Sequence, residues 1–168
     1  MTGTRSAVIT RNIDAATRGG EAGLVWRLAP GWKLDASLAH VRGENDTDAR
    51  PLAQLPPFES RLALAYEQPR WSAGTLLRVV SRQDRVAVSQ GNIVGQDIGP
   101  SDGFTVCSLH ASWKPTARTR LSAGIDNAFD ATYAEHISRA GSAVAGFVQT
   151  TRINEPGRNV WMQIQLSL

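Results

Sequence analysis

Polar and apolar positions alternate with a period of two along much of this chain, the pattern of extended strands whose successive side chains point to opposite faces. Trp32, Leu34, Ala36 and Leu38 fall on one face, and Lys33, Asp35 and Ser37 on the other. From Phe58 onward, Leu62, Leu64 and Tyr66 oppose Glu59, Arg61, Ala63 and Ala65. The plainest run sets Val160, Met162, Ile164, Leu166 and Leu168 against Asn159, Trp161, Gln163, Gln165 and Ser167. The alternation predicts seven strands, over 6–29, 32–42, 58–68, 71–82, 102–114, 119–126 and 158–168. The fold class is therefore all-β, with no helical face anywhere in the reading.

The connections carry more information than the strands. Ala29-Pro30-Gly31, Gln68-Pro69-Arg70 and the five residues from Lys114 to Arg118 are short, whereas 43–57, 83–101 and 127–157 are long. Compact soluble domains mostly use short connections throughout. Membrane barrels place short turns on one rim and long loops on the other, so a strict short-long alternation fits antiparallel up-and-down strands of a barrel wall. Trp26, Trp32, Tyr66, Trp71 and Trp113 all lie within a few residues of the short turns, as an interfacial girdle would. Seven strands would leave two unpaired edges in lipid, where no water satisfies them. The expectation is a piece of a larger barrel, incomplete by itself.

Composition agrees with a wall that is half wet. Hydrophobic residues are 42% of the 168, the mean hydropathy is −0.23, and no run of about 18 apolar residues exists to form a transmembrane helix. The net charge of +3 is spread along the chain without a basic block, which gives no footprint for nucleic acid. The single cysteine, Cys107, cannot form an internal disulfide. The first residues, from Met1 to Ile9, lack the apolar core and small-residue cleavage site of a signal peptide.

Four stretches resemble the TonB-dependent outer-membrane receptors. Arg11-Asn12-Ile13-Asp14-Ala15 with Gly19-Gly20-Glu21 looks like the entry into a long strand late in the barrel. Residues 51–57, Pro-Leu-Ala-Gln-Leu-Pro-Pro, are similar to the proline-rich return from an extracellular loop. Asn127, Phe129, Asp130 and Tyr133 match an N-x-F-D-x-x-Y signature after the penultimate strand, and Glu155-Pro156-Gly157-Arg158 matches the start of the last strand. Within that family the copper type is the nearest likeness, from 91–99, Ser101-Asp102-Gly103-Phe104, 133–139 and 152–158.

The resemblance implies a barrel of about 22 strands, filled by an N-terminal plug, standing in outer-membrane lipid and driven by the TonB complex. Residues 1–168 are then expected to be the C-terminal part of that barrel, with the plug domain, the N-terminal strands and the signal peptide absent. The chain departs from the family pattern at its end, which is Gln165-Leu166-Ser167-Leu168 in place of an aromatic residue.

Candidate chemistry is sparse. No G-x-S-x-G elbow or H-E-x-x-H pair organises the Ser, His and Asp residues, so no catalytic residue and no enzyme activity is expected. No cofactor is expected either, copper entering only as the transported ligand. The glycine-rich stretch 91–103 lacks a phosphate-binding arrangement and reads as a flexible loop. Cys107 alternates with Leu109, Ala111 and Trp113, which places it on an apolar face, and Met162 is on the apolar face of the last strand. His40 and His110 have no neighbour at ligand spacing, which leaves Glu135 and His136, in the longest loop, as the one pair to test for a metal. Glu44, Asp46, Asp48, Arg50, Arg82, Asp84 and Arg85 give the loops a mixed charge that could screen a charged solute.

The expected function is a segment of a receptor for energised uptake of a metal, copper by resemblance. A siderophore or other organometallic receptor is the alternative within the family. A soluble β-sandwich acting as a binding module is the alternative outside it.

Overall fold

The computed structural model describes residues 10–142 and 144–167. It contains eight strands: β1 (Ala15–Ala29), β2 (Trp32–Asn45), β3 (Arg50–Pro51), β4 (Glu59–Glu67), β5 (Trp71–Val80), β6 (Phe104–Thr116), β7 (Thr119–Asp126) and β8 (Asn159–Leu166). They form one antiparallel sheet in the order β1-β2-β4-β5-β6-β7-β8, with the two-residue β3 folded back on β2. Neighbours in sequence are neighbours in space, the up-and-down arrangement expected. Among the described residues the sheet does not close, and β1 and β8 form its two edges.

Two differences from the sequence reading have local causes. The first strand begins at Ala15, paired to Asn45, because β2 turns at that point into the short β3 hairpin, and Asp14 bonds instead to the turn, accepting from the Asp46 amide at 2.9 Å and donating to the Thr47 hydroxyl at 2.8 Å. Residues 6–9 of the expected strand lie outside the described residues, as do the Met1–Ile9 reading as a whole and Leu168. The extra strand β3 is held by a turn in which Asn45 bonds to Asp48 through both backbone and side chain.

Short turns tighten the opposite rim. Gly31 sits at φ +81 and accepts a 2.8 Å hydrogen bond from the Glu67 amide, and a Cβ there would stand 2.7 Å from the Glu67 carbonyl oxygen. No side chain fits that turn.

The register sorts every strand residue onto one of two faces, since cross-strand partners share a face. One face carries Leu24, Trp26, Leu38, Leu62, Leu109, Trp113, Val160, Met162 and Ile164, all exposed. Cys107 is also on it, opposite Leu77 and beside Thr75 at 3.5 Å, where the alternation put it. Near the short turns this face bears a chain of rings across three strands, Trp32 to Tyr66 at 4.7 Å and Tyr66 to Trp71 at 5.1 Å, continued by the register pair Trp71 and Trp113. The other face carries Lys33, Asp35, Arg61, Glu59, Arg78, His110, Ser112, Ser122 and Gln163.

Among the described residues no second sheet and no helix covers either face. The buried apolar residues among those described are Val80, Ala87 and Val106, all where the long loops fold onto the polar face. A β-sandwich would bury its apolar face between sheets. This protein exposes that face along its length, so the sandwich alternative fails.

On the polar face, two glycines receive aromatic rings. The His110 imidazole lies against Gly74, where a Cβ would come within 2.7 Å of the ring, and the Trp161 indole lies across Gly124 in the same way. The four residues share one cross-strand row over β5, β6, β7 and β8.

Candidate functional site

The motif residues of the longest loop meet at its base and clasp its two ends. Asn127 follows β7 in the left-handed region at φ 48 and is 3% exposed. Its side-chain amide donates to the Ala131 carbonyl at 2.8 Å and to the Pro156 carbonyl at 3.3 Å, and its oxygen accepts from the Ala131 amide at 2.9 Å. Asparagine is suited to this place because it tolerates positive φ and bonds locally to its own backbone. Asp130, also at positive φ, accepts a 2.8 Å bond from the Arg158 amide. Gly157 passes so near that a Cβ would stand 2.9 Å from the Asp130 carboxylate. Tyr133 stacks on Phe104 at 4.3 Å, and its carbonyl accepts from the Glu155 amide at 2.8 Å. Phe129 alone points away, 69% exposed. The positions quoted for the motif are thus one knot, formed by residues about 30 apart in sequence.

Beyond the knot the loop reaches the polar face of the sheet. Arg78 of β5 donates from Nε and Nη2 to Glu59 at 2.9 and 2.8 Å, and from Nη1 and Nη2 to Glu135 at 2.5 and 3.2 Å. Its guanidinium also lies 5.1 Å from the centre of the Phe104 ring, a cation–π contact. His136 turns the other way: it is 6% exposed and shares a 2.9 Å hydrogen bond between Nδ1 and Ser101 Oγ. Burial holds its pKa below the ordinary imidazole value, the Arg152 cation adds to that, and Asp97 opposes it. The two candidate ligands, adjacent in sequence, are therefore committed to separate partners. Among the described residues no three His, Cys, Asp or Glu side chains converge on a metal-sized site.

Arg152 ties the loop to its neighbour. It donates to the carbonyls of His136 at 3.2 Å, Pro100 at 2.7 Å and Gly99. The glycine-rich stretch, read as flexible, is fastened from both sides. The Asp97 carboxylate accepts from the amides of Ala87 at 3.0 Å and Gly99 at 2.9 Å, and the Gln54 side chain accepts from Ile93 and donates to Gly95.

Most of the loop charges cancel in pairs. Arg82 meets Asp84 and Asp102, Arg85 meets Glu44, and Asp48 takes both Arg11 and Arg50, which hold its carboxyl below the usual range. His40 lies beside Phe58, 6.2 Å between ring centres. Sequence reasoning missed Arg78, and Phe104 and Arg152 entered it only within stretches resembling the copper type, with no contact assigned to either. Their partners lie 16 to 57 residues away, so the contacts they make are not visible in the local sequence.

Among the described residues this arrangement builds a shaped rim on a polar wall and no metal cage. A family model described as TonB dependent receptor-like β-barrel matches residues 2–128. Among solved structures, the copper transporter OprC is 47% identical over 94% of this chain, with a TM-score of 0.87. A mutant of the ferric enterobactin receptor of Pseudomonas aeruginosa is 20% identical over 92%, TM-score 0.70, and the FrpB iron transporter from Neisseria meningitidis 20% over 90%, TM-score 0.68. The latter two share the fold alone. This chain spans 24% of OprC, 22% of the enterobactin receptor and 24% of FrpB. No curated protein sequence matches it. The chain belongs to the TonB-dependent receptors, a family of transporters and not of enzymes, and its sheet is part of their outer-membrane barrel.

Proposed function

We propose that this chain is the C-terminal barrel segment of an outer-membrane receptor whose complete form takes up copper. The observation that carries the reading is the 47% identity with a copper transporter, against about 20% for the iron and siderophore receptors of the same architecture. In this reading the apolar face with its ring chain lies in lipid, and the face bearing Arg61, Arg78 and Glu59 lines the lumen. A plug and the remaining strands of the full receptor close the passage, and the TonB complex energises it. Glu135 and His136 shape the mouth through Arg78 and Ser101, while the copper ligands belong to the rest of the receptor.

The test is a strain deleted for the full-length gene and complemented by it. Cell copper measured by mass spectrometry under copper limitation should fall in the deletion and return on complementation, with ferric-siderophore uptake unchanged. Loss of siderophore uptake with normal copper content would overturn the assignment in favour of an iron receptor.

A further inference from the structure

The few charges on the apolar face gather at one height. Among the register pairs, the charged residues of that face are Arg18, Arg42 and Glu44, and Arg18 stands directly across from Arg42 on the neighbouring strand. Directly opposed like charges, with Cβ atoms about 4.5–5.5 Å apart, repel each other. Glu44 is taken by Arg85 from the 81–103 loop, and Arg82 of that loop meets Asp84 and Asp102. Among the described residues no carboxylate pairs with Arg18 or Arg42, and both are exposed.

Depth identifies what this pair meets. Trp32, in the ring chain beside the short turns, and Arg42 lie on one face of β2, from position 32 to position 42. That length of strand runs about 33 Å, and a barrel strand's tilt of about 40° turns it into about 25 Å of depth, the height of the apolar band. The rings therefore mark one edge of the hydrocarbon and the arginine pair marks the other, on the side of the long loops. At that edge lipid headgroups meet the wall. Beside the pair, a cavity of about 250 Å³ is lined by His40, Arg42, Phe58, Arg82, Asp84 and Arg85. Its charged lining is mostly cationic, and the Phe58 ring stands by His40, one step nearer the apolar band than Arg42.

We propose that Arg18 and Arg42, with the cavity beside them, hold the phosphate-bearing headgroup of a lipid in the outward leaflet. A phosphate between the two guanidinium groups accepts forked hydrogen bonds from each and cancels the repulsion of the bare pair. The acyl chains of the same lipid run down the apolar face over Leu38 and Leu62, both exposed. The proposal rests on the apolar face lying in lipid, and it does not depend on which metal the receptor carries.

The test uses the full-length receptor, delipidated in detergent, and native mass spectrometry of its complexes with added diphosphorylated lipid A or with the same lipid dephosphorylated. The unsubstituted receptor should prefer the phosphorylated form. Arg18→Gln combined with Arg42→Gln should weaken binding of that form on the order of tenfold, the loss of two exposed charge-assisted contacts, and bring it level with the dephosphorylated lipid. Arg18→Lys combined with Arg42→Lys keeps the charges and should restore most of the preference. Arg120→Gln removes an arginine from the polar face and should change nothing.

An unchanged preference in the double glutamine receptor would overturn the proposal. Equal weakening by Arg120→Gln would do so as well, because binding would then follow net charge alone. Displacement of the lipid by an equal concentration of inorganic phosphate would also count against it, since the site would then be one for a free anion. Copper transport is not read in this experiment, so an iron receptor would give the same lipid binding and only the transport assay would speak to the metal.

Discussion

Asn127→Ala should open the base of the longest loop by an amount the structure allows to be worked out. Three hydrogen bonds are lost, to Ala131 twice and to Pro156 once, at about 1 kcal/mol each for groups that stay partly buried. Alanine at φ 48 adds roughly 1 kcal/mol of left-handed strain. The sum, about 4 kcal/mol, corresponds to a rise near 10³ in the local opening constant. Hydrogen exchange on the full-length receptor in detergent, read by mass spectrometry over peptides 127–133 and 153–158, measures it directly. Asn127→Gly removes the same bonds without the strain and should recover roughly fivefold of the protection, since about 1 kcal/mol is returned. The β5–β6 peptides serve as an internal reference and should not change. Unaltered exchange in Asn127→Ala would refute the clasp, and equal exchange in the Ala and Gly variants would refute the strain.

Other expectations concern the faces, a turn and the loop seam. Leu109→Arg, on the exposed apolar face, should cost about 2–4 kcal/mol in folding into lipid bilayers, whereas the same change at the neighbouring Ser108 should cost far less. Equal effects at the two positions would mean the faces are misassigned. Gly31→Ala must hold alanine at φ +81 with its Cβ against the Glu67 carbonyl, and should lower folding by about 2 kcal/mol in a urea titration. His136 has a folded-state pKa below its ordinary value of 6.5, so unfolded chains bind its proton more readily. Its contribution to the loop seam is then complete above about pH 6.5 and declines as pH falls through that value toward the folded pKa. Exchange over 99–101 and 135–138, corrected for intrinsic pH dependence, should rise between pH 7.5 and 5, and His136→Gln should abolish that rise.

The strands were legible because a wall between two solvents imposes a strict period of two, and nothing else competes with it. Trp32 to Leu38 and Val160 to Leu166 could be assigned to faces from their order alone. The loops were legible only as lengths. Asp97 and Gln54 organise the glycine-rich stretch through carboxylate and amide bonds whose partners are set by the folded course of the chain, so the composition of 91–103 suggested mobility where there is fastening. The candidate pair Glu135 and His136 illustrates the same limit. Their adjacency was visible, but their opposed directions depend on Arg78, 57 residues before Glu135, and on Ser101, 35 before His136. The stretches 127–133 and 155–158 stand apart because their hydrogen bonds run mainly between the two of them.

The rings laid over Gly74 and Gly124 bear on how level the polar face of the sheet is. Glycine inside a strand weakens it by about 0.5–1 kcal/mol relative to alanine, yet two stand in one row here. Each supplies a recess the depth of a missing methyl group, and His110 and Trp161 lie down in those recesses instead of standing out from the sheet. Filling either recess would lift a ring off the polar face of the sheet, with no change in charge. The relief of that face is set in part by atoms that are not there.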